Sequence, residues 1–230
     1  MLLLLSLLLA YLLGAVPFSF IVARAVRGID LRHHGSGNLG ASNVFRAVGP
    51  RWGVLVFLLD WAKGAGAVLI MSAVAAGWPP QQATPLHLPP DLWRIFAGFV
   101  ASLGHTLSPF VGWHGGKGVA TTCGAFFVLA PYPTLIALGV FFLVLALRRI
   151  ISLASISAAV TLPFAVGFFE WRSEQFSRTI FVFALLIGGW VVFRHRANIR
   201  RLRAGTEAVL GNGNGKPKGD GGAPTPGAQP

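Results

Sequence analysis

Apolar residues fall along this chain in long blocks separated by short polar stretches. Seven blocks can be marked, at residues 2–22, 52–76, 94–111, 119–130, 133–147, 151–169 and 179–193. A helix that crosses a bilayer needs roughly 20 apolar residues, so the blocks predict membrane spans, the fourth and fifth of them short. Pro131-Tyr132-Pro133 separates those two. Proline removes a backbone donor and clashes with the preceding turn, so two helices are predicted there. One long kinked helix is the alternative, and it would put Lys117 and Arg148 on opposite sides of the membrane. The predicted fold class is all-α integral membrane, with seven transmembrane helices. The first block lacks the basic n-region of a signal peptide and runs on to Val22, so it is read as a span.

The polar breaks give the orientation. Arg24, Arg27, Arg32, Arg46 and Arg51 follow the first block, Lys117 the third, Arg148 and Arg149 the fifth. Arg194, Arg196, Arg200, Arg201 and Arg203 follow the seventh. With seven spans all these cations share one side, whereas six would scatter them. The opposite breaks are poor in cations: residues 77–90 have none, and Arg172 and Arg178 are offset by Glu170 and Glu174. Cytoplasmic loops are enriched in Lys and Arg, which predicts an N-terminus outside and a C-terminus in the cytoplasm.

Composition agrees with this reading. Of 230 residues, 54% are hydrophobic and 11% charged, against about 25% charged in a soluble domain. A net charge of +12 attracts nucleic acid or an anionic membrane surface. The apolar blocks decide for membrane lipid as the partner and against nucleic acid. Cys123 is the sole cysteine, so it is read as a packing residue. No set of His, Cys, Asp and Glu has metal-ligand spacing, no cofactor is implied, and no obligate protein partner is evident. Residues 1–210 read as one membrane domain, and 211–230, rich in Gly, Pro and Asn, as a disordered cytoplasmic tail.

Three of the polar breaks carry candidate chemistry. Residues 33–46 hold Gly35, Gly37 and Gly40 among Ser36, Asn38, Asn43 and Arg46. Glycine permits positive φ, which can turn backbone N–H groups inward on an anion, and Arg46 supplies a planar fork for phosphate. The other reading is a flexible interfacial turn. Residues 112–122 run from Gly115-Gly116-Lys117-Gly118 into an apolar helix. A helix N-terminus welcomes an anion, although a cap with a snorkelling lysine fits too. Residues 194–207 hold five arginines, with His195 and Asn198 three apart on one helical face. Topology and anionic lipid account for many of those arginines. His195 is the group best placed for proton transfer, and Glu207 is expected to pair with an arginine.

Other polar residues read less sharply. Asp60 and Lys63 are expected to form a structural ion pair within the second span. His105 is either a packing or a site residue. Ser152 and Ser155 are expected to cap a helix, with a phosphate contact as the alternative for Ser155. Three donor-rich breaks at the mouth of an apolar bundle suit a phosphate-bearing substrate with a fatty tail. A transporter of an organic phosphate is the competing class, but its site would lie near the midplane on broken helices.

These motifs resemble those of the bacterial membrane glycerol-3-phosphate acyltransferases that use acyl phosphate, the PlsY family. The matching stretches are residues 36–46, Gly104-His105 with 115–121, and 195–199 with Gly205-Thr206-Glu207. The serines at 152 and 155 and the Asp60, Lys63, Gly64 run fit as well. Ser42 stands where the family more often has threonine, and the hydroxyl is kept. The resemblance covers residues 1 to about 210. It implies transfer of an acyl group from acyl phosphate to the 1-hydroxyl of sn-glycerol 3-phosphate, at the cytoplasmic face of the bacterial inner membrane. It also implies active-site roles for Ser36, Arg46, Lys117, His195 and Asn198, and structural support from Glu207. The expected phosphate contacts are Gly37, Asn38, Asn43, Gly115, Gly116, Gly118 and Ser155.

Overall fold

The computed structural model describes residues 2–77, 90–172 and 178–211. The neutral break at 78–89, Glu174 and the tail from 212 lie outside the described residues. Every regular element among the described residues is helical. The helices are α1 (Leu2–Ala15), α2 (Phe18–Arg27), α3 (Ala41–Ala47), α4 (Pro50–Ala76), α5 (Pro90–Thr106), α6 (Val119–Leu129), α7 (Pro131–Arg148), α8 (Ile151–Arg172), α9 (Arg178–Arg194) and α10 (Arg196–Arg203). Short 3-10 turns stand at Leu31–His33 and Pro109–Val111.

Each apolar block becomes helix, except that in the third α5 stops at Thr106 and a 3-10 turn covers Pro109–Val111, and that the first differs in two ways. The first block is interrupted at Val16-Pro17, and α2 carries Arg24 and Arg27 in its last turn instead of leaving them in a loop. Pro17 has no N–H to continue α1, so the chain restarts there. The break at residues 131–133 forms where the prolines predict it. α6 ends at Leu129, Ala130 is extended, and α7 opens with Pro131 in its first turn. Four helical stretches are long and apolar enough to cross a membrane: Leu2–Arg27, Pro50–Ala76, Pro131–Arg148 and Ile151–Arg172. Arg178–Arg194 with Arg196–Arg203 makes a fifth if that pair, bent by 58°, counts as one. α6 is apolar but has only 11 residues.

Lipid-like exposure and close helix contact explain the architecture together. Leu4, Leu8, Leu12, Leu58, Phe142, Phe164 and Leu186 face outward, where hydrocarbon offers no hydrophobic penalty. Helices in lipid must instead gain from close packing, which small residues permit. α4 meets α6 this way: a Cβ on Gly64 would strike the Thr121 carbonyl, and one on Gly124 the Trp61 carbonyl. Gly14 and Gly104 bring α1 against α5 likewise. A separate small core sits under the first polar loop. Ala23, Leu31, Leu39, Val44, Val48, Val56 and Val111 pack there, fixing residues 31–48 over the start of α4.

Candidate active site

A cavity of about 270 Å³ opens where α3 to α10 converge. Its cationic wall is Arg46, Lys117, Arg194 and Arg201, and Ser36, Asn38, Ser42, Ser155, His195, Asn198 and Glu207 complete the polar surface. Asp60 and His105 also reach it, and Phe57 and Phe141 lie at its apolar side. A smaller apolar chamber of about 60 Å³ shares Phe57, Val119, Phe141 and Ser155 with it and continues past Cys123, Phe126, Leu138 and Leu162.

The first loop is built around Asn43. This side chain is fully buried. Its Oδ1 accepts the Ser36 N–H at 3.1 Å, and its Nδ2 donates to the His34 carbonyl at 2.9 Å. Gly35 and Gly37 adopt positive φ, +61° and +69°, as the loop requires. The result holds Ser36 Oγ 3.4 Å from Arg46 Nη2, which donates to it. Asn43 therefore clamps the loop and stands outside the cavity, contrary to the expectation that its amide would face an anion. The Gly37 N–H is likewise taken by the His34 carbonyl.

The second loop is also clamped. Gly115 N–H donates to the Thr106 carbonyl at 3.0 Å and Gly116 N–H to the His105 carbonyl at 3.2 Å. The expected cradle of inward N–H groups at Gly115 and Gly116 is thus not formed, because α5 uses those donors. Gly118, at φ +78°, does line the cavity and starts α6 with no side-chain cap. The N–H groups of the first turn of α6 have no intrahelical acceptors, and Val119 and Ala120 reach the cavity.

The third segment closes the site. Lys117 Nζ donates to Asn198 Oδ1. Asn198 Nδ2 donates to Glu207 Oε1 at 2.6 Å, Ser152 Oγ donates to the same oxygen at 2.7 Å, and Arg201 Nε donates to Glu207 Oε2 at 2.6 Å. Glu207 pairs with an arginine as expected. Neither serine caps α8: Ser152 is turned to Glu207, and Ser155 Oγ donates back to the Ile151 carbonyl at 2.9 Å. Arg194 Nη2 donates to the Gly116 carbonyl at 3.0 Å.

Electrostatics follow from this crowding. Burial, reinforced by Arg201, Arg46 and Arg194 against the opposing Glu207, pulls Lys117 down to about 8. Burial also lowers the Arg46 value. His195 Nδ1 lies 2.8 Å from the Val191 carbonyl. A carbonyl only accepts, so Nδ1 carries the proton and Nε2 is left as an acceptor. Burial and the Lys117 charge hold His195 at about 4, so its ring is neutral at physiological pH. Burial works against the Glu207 carboxylate, but hydrogen bonds from Ser152, Asn198 and Arg201 keep it below the ordinary range.

Five of the expected active-site residues, Ser36, Arg46, Lys117, His195 and Asn198, thus share one cavity with Glu207, Asn38, Gly118 and Ser155. Arg194, Arg201, Phe57 and Phe141 are among the lining residues not singled out from sequence as site groups. The arginines read as topology signals and the phenylalanines as ordinary lipid-facing residues, and nothing in local sequence separates them from their neighbours.

The arrangement defines a class: a helical membrane protein with a cationic, hydrogen-bonding cavity at its helix ends and an apolar chamber beside it. The sequence pattern of glycerol-3-phosphate acyltransferase matches residues 4–205. The glycerol-3-phosphate acyltransferase of Thermosynechococcus vestitus is 42% identical over 211 residues, spanning 90% of this chain and 95% of that protein. That of Geotalea daltonii is 42% identical over 201 residues, spanning 87% and 94%. Two crystal structures of PlsY (YgiH), an integral membrane glycerol 3-phosphate acyltransferase, superimpose closely. Its glycerol 3-phosphate form gives a TM-score of 0.76 at 36% identity, covering 91% of this chain and 96% of that one. Its lysophosphatidic acid form gives 0.74 at 35% identity, covering 91% and 95%. The chain belongs to the glycerol-3-phosphate acyltransferase family, in its PlsY branch, and is an all-helical integral membrane protein.

Proposed function

We propose that this protein transfers an acyl group from acyl phosphate to the 1-hydroxyl of sn-glycerol 3-phosphate, releasing 1-acyl-glycerol 3-phosphate and phosphate. The observation that carries the donor is the pairing of two chambers through one wall. The cationic cavity suits two phosphate-bearing groups, and the adjoining apolar chamber, entered past Phe57 and Phe141, suits the start of a fatty tail. Both substrates are anions, which fits Arg46, Lys117, Arg194 and the first turn of α6 as their holders, with Ser36 and Asn38 as hydrogen-bond partners.

In this reading the glycerol oxygen attacks the acyl carbonyl carbon, and the bond from that carbon to the phosphate oxygen breaks. Phosphate departs with the electron pair. Acyl phosphate is already an activated anhydride, so orientation and fixed positive charge supply most of the barrier lowering. His195 Nε2 is an acceptor, which fits a hydrogen bond from the substrate hydroxyl. Held near 4, His195 is a weak base, so the departing phosphate takes the proton. Glu207 holds Asn198, which holds Lys117.

The proposed topology has seven spans, α1 with α2 forming the first and α4 to α9 the others, with the N-terminus outside and the site facing the cytoplasm of the bacterial inner membrane. The clustered cations support it. Cysteines at Tyr132 and Ala204 in a Cys123→Ser background check it, because labelling of position 204 from outside intact cells would contradict it. The reaction is tested with purified protein in vesicles given glycerol 3-phosphate and palmitoyl phosphate. Acyl-glycerol phosphate and equimolar phosphate should appear, and a coenzyme A thioester should serve poorly. Equal use of the thioester would remove the phosphate-donor reading. Transport without product would replace the enzyme with a carrier.

A further inference from the structure

We propose that Asp60 and His105 are positioning residues that seat the Lys117 loop, acting through Gly116; this rests on the function proposed above. A carboxylate inside a membrane bundle is expensive, and Asp60 is 2% exposed. Lys63 balances its charge, with Nζ 2.8 Å from Asp60 Oδ1. Lys63 is itself fixed, since Nζ donates to the Val16 carbonyl at 2.9 Å across the α1–α2 break and lies over the Phe18 ring. Even so, Asp60 Oδ1 is left buried without a hydrogen bond of good geometry. His105 turns Nδ1 toward this oxygen at 3.5 Å, a long electrostatic contact that orients the ring without a full hydrogen bond.

The oriented ring faces Gly116. A Cβ at residue 116 would overlap His105 Nε2 on one side and the Leu39 carbonyl on the other. Gly116 thus fills a slot between the imidazole and the first loop, and only glycine fits it. The His105 backbone closes the same slot by accepting the Gly116 N–H at 3.2 Å. Lys117 is the next residue, and its ammonium is aimed at Asn198 from this fixed point. The chain of support runs from Lys63 through Asp60 and His105 to Gly116, and ends at a cation of the cavity. If the ring loses its orientation, the slot loosens and Lys117 moves relative to the anion it holds.

The test uses the full-length protein in phospholipid vesicles, comparing His105→Phe, Asp60→Asn, Lys117→Ala and the double variant His105→Phe/Lys117→Ala. His105→Phe and Asp60→Asn should raise, by about tenfold, the KM for the same substrate whose KM rises in Lys117→Ala, a loss of about 1.4 kcal/mol of binding. The double variant should be no worse than Lys117→Ala, because His105 acts through that lysine. His105→Asn, which keeps a donor near the Nδ1 position, should recover most of the affinity. A readout independent of turnover is the pH dependence of Lys117 acylation by an amine reagent, followed by mass spectrometry. In the wild type its midpoint should lie near the Lys117 value of about 8, and in His105→Phe it should rise as the loop opens to water. A fall in kcat at unchanged KM overturns the proposal, as does multiplication of effects in the double variant. So does an unmoved labelling midpoint in folded His105→Phe or, if that variant does not fold, in folded Asp60→Asn. A wild type that turns over neither substrate counts against the function proposed above, and the labelling midpoint still decides the anchor.

Discussion

Replacing Glu207 by alanine removes three partners at once. Asn198 and Ser152, each 7% exposed, lose a charged acceptor. A hydrogen bond to a charged group contributes about 1.5–3 kcal/mol, and leaving a buried donor unpaired costs in the same range. The Arg201 side chain is 42% exposed, so its ion pair adds at most about 1 kcal/mol. The sum is about 3–7 kcal/mol, a large share of a typical stability of about 5–15 kcal/mol. At roughly 2–4 °C per kcal/mol for a chain of this size, Tm should drop on the order of 10 °C. The assay is thermal unfolding in vesicles, with Glu207→Gln and Ser152→Ala beside it. Glu207→Gln keeps one acceptor and should fall between, and Ser152→Ala should cost only a few degrees. A Glu207→Ala protein that unfolds within about 2 °C of the wild type would refute the idea that the carboxylate organises this end of the bundle.

Three further predictions concern the cavity. Lys117 is held at about 8, below its ordinary value, so its charge is present below that pH and lost above it; kcat/KM should fall as pH rises through 8, and this limb should vanish in Lys117→Ala. Arg46→Lys should raise KM about tenfold or more, because a point charge cannot replace a bidentate fork; wild-type kinetics would remove that role. His195→Gln should keep measurable activity if the ring only orients the hydroxyl, and a folded protein with none would make His195 the base.

Much of the fold is written in the hydrophobic blocks, because lipid enforces helices on any apolar run that must satisfy its own backbone. Even the separation of α6 from α7 is legible in two prolines. What the blocks hide is the break at Pro17, where a single proline inside a very apolar run gives little warning. In the candidate site, Arg46 and Lys117 were readable from the glycines beside them and His195 from its titratable ring, whereas Arg194 and Arg201 were hidden among arginines that topology already explains. The backbone was less so. Gly115 and Gly116 look like an anion cradle in sequence, yet their N–H groups serve α5. Asn43 looks like a ligand and is a clamp. Those outcomes depend on which carbonyls arrive from the turn or helix nine to twelve residues earlier, and the motif itself carries no record of that.

The brevity of α6 bears on how this chain is made. Eleven residues rise only about 16 Å, half the roughly 30 Å of hydrocarbon. Such a segment has little reason to partition into the bilayer alone as it leaves the insertion machinery. In the seven-span arrangement proposed above it is drawn in by its neighbours, entering as a hairpin with α7 or docking on an α4 already in place. The Gly64 and Gly124 contacts then act as an assembly step as well as packing. Bulk added at either position should leave newly made chains divided between two topologies, with the second polar loop stranded on either side of the membrane, before any loss of catalysis can be measured.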